Sequence, residues 1–239
     1  MKAMLFAAGL GTRLKPFTDH HPKALAEVNG KTLLEHNLRY LQRFGIYDVI
    51  VNVHHFADQI EEALSSNNGF GSKITISDER DVVLETGGGL KKAAPYFKEE
   101  SSFLVMNVDI LTNLDLHKMI AAHDNINTEA TLAVMHRSSS RHLLFDEYMG
   151  LCGWRNNNTE EERIARQTDE YHPFAFSGIQ VISQALLQEI KHEGKFSMID
   201  VYLEAAKTQM IKGYDHTGDL LLDVGKPESI IKAAELFNS

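Results

Sequence analysis

The sequence predicts an α/β protein whose mostly parallel sheet is covered by helices on both faces. Three observations support this. Through the first 136 residues, short apolar runs alternate with segments of helical period, the βαβ pattern of a parallel sheet. Those runs are nearly continuous in apolar residues, as strands buried on both faces are. The first of them, Met4-Leu5-Phe6-Ala7-Ala8, stops at the glycine turn Gly9-Leu10-Gly11-Thr12-Arg13, as a strand does on entering a tight loop. The predicted architecture is Rossmann-like, in three layers, with a sheet that becomes mixed in the second half.

After the glycine turn, residues 32–44 carry Leu33, Leu34, Leu38, Leu41 and Phe44 at helical spacing, and Gly45 stops them. Residues 48–53 read as a buried strand, 54–65 as an amphipathic helix and 73–77 as a short strand. Gly87-Gly88-Gly89 is expected to open a helix over 90–97. Residues 102–107 form a continuous apolar strand ending at Val108-Asp109, followed by a helix (116–123) and a strand (130–136). From about Ser138 to Tyr171 the pattern changes. Residues 150–154 and 163–165 read as short antiparallel strands joined by the polar turn Asn156-Asn157-Asn158. Residues 174–181 return to strand. Helices near 184–191 and 198–207, short strands at 210–212 and 220–223, and a last helix over 227–237 complete the chain. No linker or repeat interrupts it, so residues 1–239 read as one domain with a parallel half, 1–136, and a mixed half, 137–239.

Composition narrows the function. With 239 residues, 43% hydrophobic and 24% charged, the chain is long enough for one large domain with a full core. A net charge of −9 with no basic run makes nucleic acid and anionic membrane poor partners. The single cysteine, Cys152, excludes an intramolecular disulfide framework and Cys-rich zinc sites. Lys2 precedes an apolar stretch, but that stretch breaks at Gly9 and reaches Arg13 and Lys15 without a cleavage site, so it reads as a first strand and not a signal peptide. No segment has the ~20 apolar residues of a membrane span. A cytoplasmic protein is expected; oligomeric state is not readable.

Glycine lets backbone approach a ligand, and successive N–H groups in such a loop can cradle phosphate oxygens. Arg13 and Lys23 add cations on either side of the cradle, which suits a polyanion such as a nucleoside triphosphate. The loop is not a Walker A motif, because Gly11 is followed by Thr12-Arg13, and not a dinucleotide fingerprint, because Leu14 stands where the third glycine would. Asp109 sits at the carboxyl end of a buried strand, where ligands of open α/β sheets bind, and an aspartate there also suits a helix N-cap. Asp223, before the final helix, reads as a turn residue. The three glycines after Glu85-Thr86 cost backbone entropy and would be odd in a purely structural turn. Gly178 on its strand suits a bulge, and Lys195 reads as a ligand contact or a solvated lysine. The twelve histidines, His20, His21, His54 and His55 among them, show no ligand spacing, and no Ser/His/Asp order points to nucleophilic catalysis.

The whole pattern Ala7-Ala8-Gly9-Leu10-Gly11-Thr12-Arg13-Leu14-Lys15-Pro16-Phe17-Thr18, closed by Pro22-Lys23-Ala24-Leu25, resembles the signature of the sugar-1-phosphate nucleotidyltransferases, the pyrophosphorylases that make nucleotide sugars. The resemblance extends over nearly the whole chain and implies the nucleotide-diphospho-sugar transferase fold, with 1–136 binding nucleotide and 137–239 binding sugar. It implies an enzyme of EC 2.7.7 type that transfers a nucleotidyl group from an NTP to a sugar-1-phosphate and releases pyrophosphate. Arg13, Lys23 and Asp109 would be catalytic, and Asp109 and Asp223 would hold Mg²⁺. Ala8, Gly9, Gly11, Thr12, Arg13, Lys23, Thr86, Gly87 and Gly88 would bind the nucleotide; Asn107, Ser177, Gly178 and Lys195 would meet the sugar. The Val-Glu-Lys-Pro segment that many relatives carry after this point is absent: the region beyond Gly150 reads Trp154-Arg155-Asn156-Asn157-Asn158-Thr159-Glu160, so the acceptor-phosphate residues do not transfer. The compact N-acetylmuramate-1-phosphate uridylyltransferases share the Glu-Thr-Gly-Gly-Gly loop and a short C-terminal end, which makes UTP with N-acetylmuramate-1-phosphate, or a similar hexose-1-phosphate, the first expectation. Mannose- and heptose-1-phosphate guanylyltransferases are also similar. With no extension past Ser239, no acyltransferase or left-handed β-helix domain is expected. Two other classes fit the residues less well. A non-catalytic nucleotide-sugar sensor is disfavoured by the joint presence of Arg13, Lys23, Asp109 and Asp223, and a nicotinamide-dependent dehydrogenase by the missing third glycine.

Overall fold

A computed structural model of the chain describes residues 1–125 and 128–237, so Ser239 lies outside the described residues. The first strand, β1 (Ala3–Phe6), is apolar on both faces because both faces are covered. Ala3 and Leu5 join one core cluster and Met4 the opposite one, all three with no exposed surface. Burying a side chain such as Leu5 or Met4 contributes about 1.5–3 kcal/mol. That two-sided burial is what makes these strands continuous apolar runs.

A small hairpin, β2 (Glu27–Val28) and β3 (Lys31–Thr32), leads into α1 (Leu33–Arg43). Thr32 caps α1 by accepting from the Glu35 N–H at 3.1 Å. Next come β4 (Asp48–Val53), α2 (Ala57–Ser66), β5 (Lys73–Asp78), α3 (Glu85–Ala93), β6 (Ser102–Asn107), β7 (Ile110–Thr112), α4 (Leu116–Asn125) and β8 (Ala130–Met135). The second half holds β9 (Arg141–Phe145), β10 (Leu151–Asn156), β11 (Glu161–Ile164), β12 (His172–Ser183), α5 (Gln184–Glu189), α6 (Met198–Ala205), β13 (Ile211–Asp215), β14 (Leu221–Asp223) and α7 (Pro227–Leu236).

The central sheet runs β5-β4-β1-β6-β12-β8-β13. Strands β5, β4, β1 and β6 are mutually parallel, β12 is antiparallel to both β6 and β8, and β13 is parallel to β8. The carboxyl ends of β1, β4, β6, β8 and β13 therefore open on one edge, where open α/β sheets bind ligands. Helices α1, α2 and α4 bury Leu34, Leu38, Ile60 and Leu116 on one face; α3, α5 and α6 bury Leu90, Leu186 and Tyr202 on the other. The mixed, mostly parallel three-layer prediction is borne out. A ribbon of β9, β10 and β11 branches from the first residues of β12, whose last residues pair with β6. No helix among the described residues is long and apolar enough to cross a membrane.

Four local expectations need correction. The three glycines do not open α3; they lie inside it, since α3 starts at Glu85, and a 3₁₀ turn at Ala94–Phe97 takes over where Pro95 cannot extend the α-helical ladder. Helix α2 begins at Ala57, not residue 54, because His54 is tied by Nδ1 to the Glu79 carbonyl at 2.7 Å. Strand β9 was not expected, and neither was β7, which pairs with β14 in a separate two-stranded sheet. A third, small core cluster joins Leu14 of the glycine-loop region to Val224 and to Ala233 of α7, fixing the end of the chain beside its beginning.

Candidate active site

The site is assembled at the carboxyl edge of the sheet. Where β1 ends, the Ala7 and Ala8 N–H groups both donate to Asn52 Oδ1, at 2.7 and 3.3 Å. Asn52, on the neighbouring β4, is turned the right way for this because its Nδ2 donates to Glu79 Oε1 at 2.8 Å. Glu79 is buried, and burial pushes its carboxyl above the usual carboxylate range. The loop then folds back on itself. Gly11 has φ +62°, and a Cβ there would lie 2.8 Å from Thr18 Cγ2 and 3.0 Å from Lys23 Cβ. Thr18 Oγ1 donates to the Gly11 carbonyl at 2.9 Å. The motif spacing thus has a steric meaning: glycine at 11 lets the segment carrying Lys23 press against the loop.

Lys23 Nζ forms an ion pair with Asp109 Oδ2, and both side chains are largely buried. Asp109 follows β6. Three residues of β14 pair with β7, setting Asp223 opposite Ile110, and the Val224 N–H donates to the Asp109 carbonyl at 2.8 Å. This brings the second aspartate beside the first. Burial, and then the Asp109 charge, raise the Asp223 carboxyl above its ordinary range. Arg13 Nη2 stands 3.6 Å from Asp223 Oδ2 over Gly225, where a Cβ would come within 2.5 Å of Asp223 Oδ1 and 2.8 Å of Arg13 Nη2. The charges therefore run Arg13, Asp223, Asp109, Lys23, two neighbouring carboxylates with a cation on either side. The adjoining cleft has a volume of ≈ 240 Å³ and is lined by Ala8, Gly9, Lys23, Thr86, Asn107 and Asp109, among others.

The other predicted residues divide. Thr12 opens the 3₁₀ turn that carries Arg13. Gly87 and Gly88 are buried, and their missing side chains make room for packing: a Cβ on Gly87 would lie 2.3 Å from Phe196 Cδ2, and one on Gly88 2.2 Å from the Gly194 carbonyl. The Gly87 N–H donates to the Phe196 carbonyl at 2.9 Å, and Thr86 Oγ1 accepts from the Met198 N–H at 3.0 Å. Lys195 lies 3.3 Å from Glu85 at the rim. Gly178, at φ +74°, marks the bulge where β12 shifts register, and a Cβ there would lie 2.9 Å from Asn107 Nδ2. Its neighbour Ser177 has no exposed surface. Its Oγ lies 2.7 Å from His216 Nε2, with His216 Nδ1 3.5 Å from Asp219. A Ser-His-Asp arrangement does exist, then, but its hydroxyl cannot reach a substrate, and burial holds His216 below its ordinary pKa. It fixes the bulge.

Sequence reasoning missed Asn52, Glu79 and Arg137. The signal for Asn52 was a lone amide in the apolar run Val49-Ile50-Val51-Asn52-Val53. Arg137 follows the carboxyl end of β8 and donates from Nη2 to the Phe176 carbonyl at 2.9 Å; its Nε is buried with no hydrogen-bond partner among the described residues. Its signal was only its place just beyond a strand end.

Comparison with known proteins shows the family. Residues 2–145 match the family described as Nucleotidyl transferase. The chain is 32% identical to an N-acetylmuramate alpha-1-phosphate uridylyltransferase of Caulobacter vibrioides, covering 97% of this chain and 94% of the relative. It is 28% identical to the enzyme of the same name from Neisseria meningitidis, covering 94% and 93%. Among solved structures, HddC from Yersinia pseudotuberculosis complexed with GMP-PN superposes with a TM-score of 0.79 at 25% identity, covering 99% of both chains. The chain belongs to the nucleotidyl transferase family, and the activity of that family is nucleotidyl transfer.

Proposed function

We propose that this nucleotidyltransferase joins the nucleotidyl group of an NTP to a sugar-1-phosphate, releasing pyrophosphate, with UTP and N-acetylmuramate-1-phosphate as the first-choice pair. The two neighbouring carboxylates Asp223 and Asp109, flanked by Arg13 and Lys23 and set at the sheet edge beside the glycine loop, carry this reading. Such a transfer makes little covalent demand on the protein; positioning and charge neutralisation dominate. In the reaction, a phosphate oxygen of the sugar-1-phosphate forms a bond to the α-phosphorus of the NTP. The bond from that phosphorus to the α,β-bridging oxygen breaks, and pyrophosphate leaves with the electron pair. Lys23 meets the α-phosphate and the incoming anion, and Arg13 the departing phosphates. Gly9, Gly11 and Thr12 bring backbone to the phosphates, while Ala8 and Thr86, with Gly87 and Gly88 behind, flank the nucleoside. Asn107 and Gly178 border the sugar side, which Ser177 braces from within, and Lys195 approaches from the rim. Residues 1–136 act as the nucleotide-binding half and 137–239 as the sugar-binding half.

The donor set fits Mg²⁺. Asp109 and Asp223 converge, both are hard oxygen donors, and Asp223 Oδ1 is buried with no hydrogen-bond partner among the described residues. No third His, Cys, Asp or Glu joins them among the described residues, which suits an ion that takes one or two carboxylates and completes its shell with phosphate oxygens and water. Bound there, it would neutralise phosphate charge and polarise the reacting centre.

The uridylyl reading draws support from the two relatives named above. A guanylyltransferase acting on a mannose- or heptose-1-phosphate is the second reading, favoured by the GMP-PN complex of the similar solved structure. Pyrophosphate release with Mg²⁺, measured for UTP, GTP, CTP, dTTP and ATP against N-acetylmuramate-, mannose-, glucose-, N-acetylglucosamine- and heptose-1-phosphates, separates them. Turnover confined to UTP with N-acetylmuramate-1-phosphate is expected. Preference for GTP would install the second reading, and nucleotide binding without any pyrophosphate would replace both with a sensor.

A further inference from the structure

We propose that Arg137 receives the phosphate monoester of the incoming sugar, the position left vacant by the missing Val-Glu-Lys-Pro segment. The inference rests on the function proposed above and names a residue for its acceptor side. Strand β8 runs parallel to β6, with only β12 between them, so Arg137, just past the end of β8, stands on the edge where β6 ends at Asn107 and Asp109 follows. Its Nη2 is anchored to the Phe176 carbonyl at 2.9 Å. Phe176 immediately precedes the Ser177-Gly178 bulge, and Gly178 is the residue pressed against the cleft-lining Asn107. The guanidinium is therefore held at the end of the bulge that borders the cleft, on the side away from the glycine loop.

The charges single out the same residue. Lys23 is paired with Asp109 and Arg13 with Asp223, whereas Arg137 forms no ion pair with a carboxylate among the described residues. Its Nε is buried and without a hydrogen-bond partner among the described residues, and burial lowers its pKa against the attraction of Asp223, whose charge it feels. A guanidinium has five donors in a planar fork, and here one is anchored while a buried one is unused. A buried charged donor left unmade is costly, so a chain that keeps one is set up to receive an anion. A sugar-1-phosphate is a dianion, and the protein it must approach carries a net charge of −9. A forked, partly desolvated cation beside the sugar side of the cleft matches the planar pair of oxygens a phosphomonoester offers.

The test is steady-state pyrophosphate release by the wild type, Arg137→Gln and Arg137→Lys, varying each substrate at saturating concentration of the other, with thermal melts alongside. Arg137→Gln is expected to raise the KM for the sugar-1-phosphate about 10- to 100-fold, the equivalent of one charged hydrogen bond, and to leave the KM for the NTP within about twofold. Arg137→Lys, which keeps the charge and loses the fork, should fall between. If the Gln variant does not fold, the same selective rise in the Lys variant decides. An unchanged sugar-phosphate KM, or equal rises in both KM values, would show that Arg137 only supports the Phe176 backbone and would overturn the inference while leaving the activity intact. A wild type silent with every pair would remove the proposed function and this inference with it.

Discussion

Replacing Lys23 by Met tests the charge arrangement at its most buried point. The Lys23 and Asp109 side chains retain only 14% and 10% of their exposure, so solvent screens the pair little. Without the ammonium, the Asp109 carboxylate is left buried beside Asp223, a carboxyl already raised by burial and by Asp109 itself. Arg13 does not compensate, because its side chain is 58% exposed and stands 3.6 Å from Asp223. Removing one partner of a buried pair costs about 3–5 kcal/mol. For a chain of this size each kcal/mol moves Tm by about 2–4 °C, so differential scanning calorimetry should show a fall of about 6–20 °C. Adding Asp109→Asn to Lys23→Met removes the uncompensated charge and should recover most of that loss. If the double variant is instead destabilised by the sum of the two single changes, or if Lys23→Met melts like the wild type, the two residues are not energetically paired.

Two further outcomes are expected. Gly88→Ala places a methyl 2.2 Å from the Gly194 carbonyl, a contact that only a backbone shift relieves, so α3 must separate from the 194–196 segment; a loss of about 1–3 kcal/mol is expected in urea unfolding, and a wild-type midpoint would mean that this glycine is not there for packing. The Glu79 carboxyl has an ordinary pKa of 4.5 and a raised one when folded, so the folded state binds its proton more tightly and stability falls as pH rises from the unfolded to the folded pKa. Glu79→Gln removes that dependence. Its Tm relative to the wild type should climb as pH rises from about 4.5 and level off above the folded pKa, and a constant difference across melts from pH 4.5 to 8 would contradict a buried, ionising Glu79.

What could be read from the sequence follows from how local each feature is. Strand β6 was legible because both of its faces are buried, which writes the strand as an unbroken apolar run. The glycine loop was legible because its constraint, Gly11 against Thr18 and Lys23, lies within a dozen residues. Asp109 and Asp223 were singled out, but the device that joins them, the pairing of β7 with β14, is only three residues long and links distant parts of the chain. The glycines of α3 misled because helix propensity puts glycine at ends; here contact with Phe196 and Gly194 outweighs the roughly 1 kcal/mol that each glycine costs inside a helix. Strand β9 follows three serines and alternates over only a few residues, so period alone did not reveal it. The importance of Asn52 and Arg137 depends on partners distant in the chain, Glu79 and Phe176, which no local pattern specifies.

The central claim is that nucleotidyl transfer takes place where Asp109 follows β6, between Lys23 and Asp223. The most direct measurement is pyrophosphate release from UTP and N-acetylmuramate-1-phosphate with Mg²⁺, comparing the wild type with Asp109→Asn and verifying by circular dichroism that the variant is folded. A folded variant that turns over about 10²- to 10³-fold more slowly than an active wild type is the outcome this account requires. Wild-type turnover by folded Asp109→Asn would contradict it and move the chemistry elsewhere on the sheet edge.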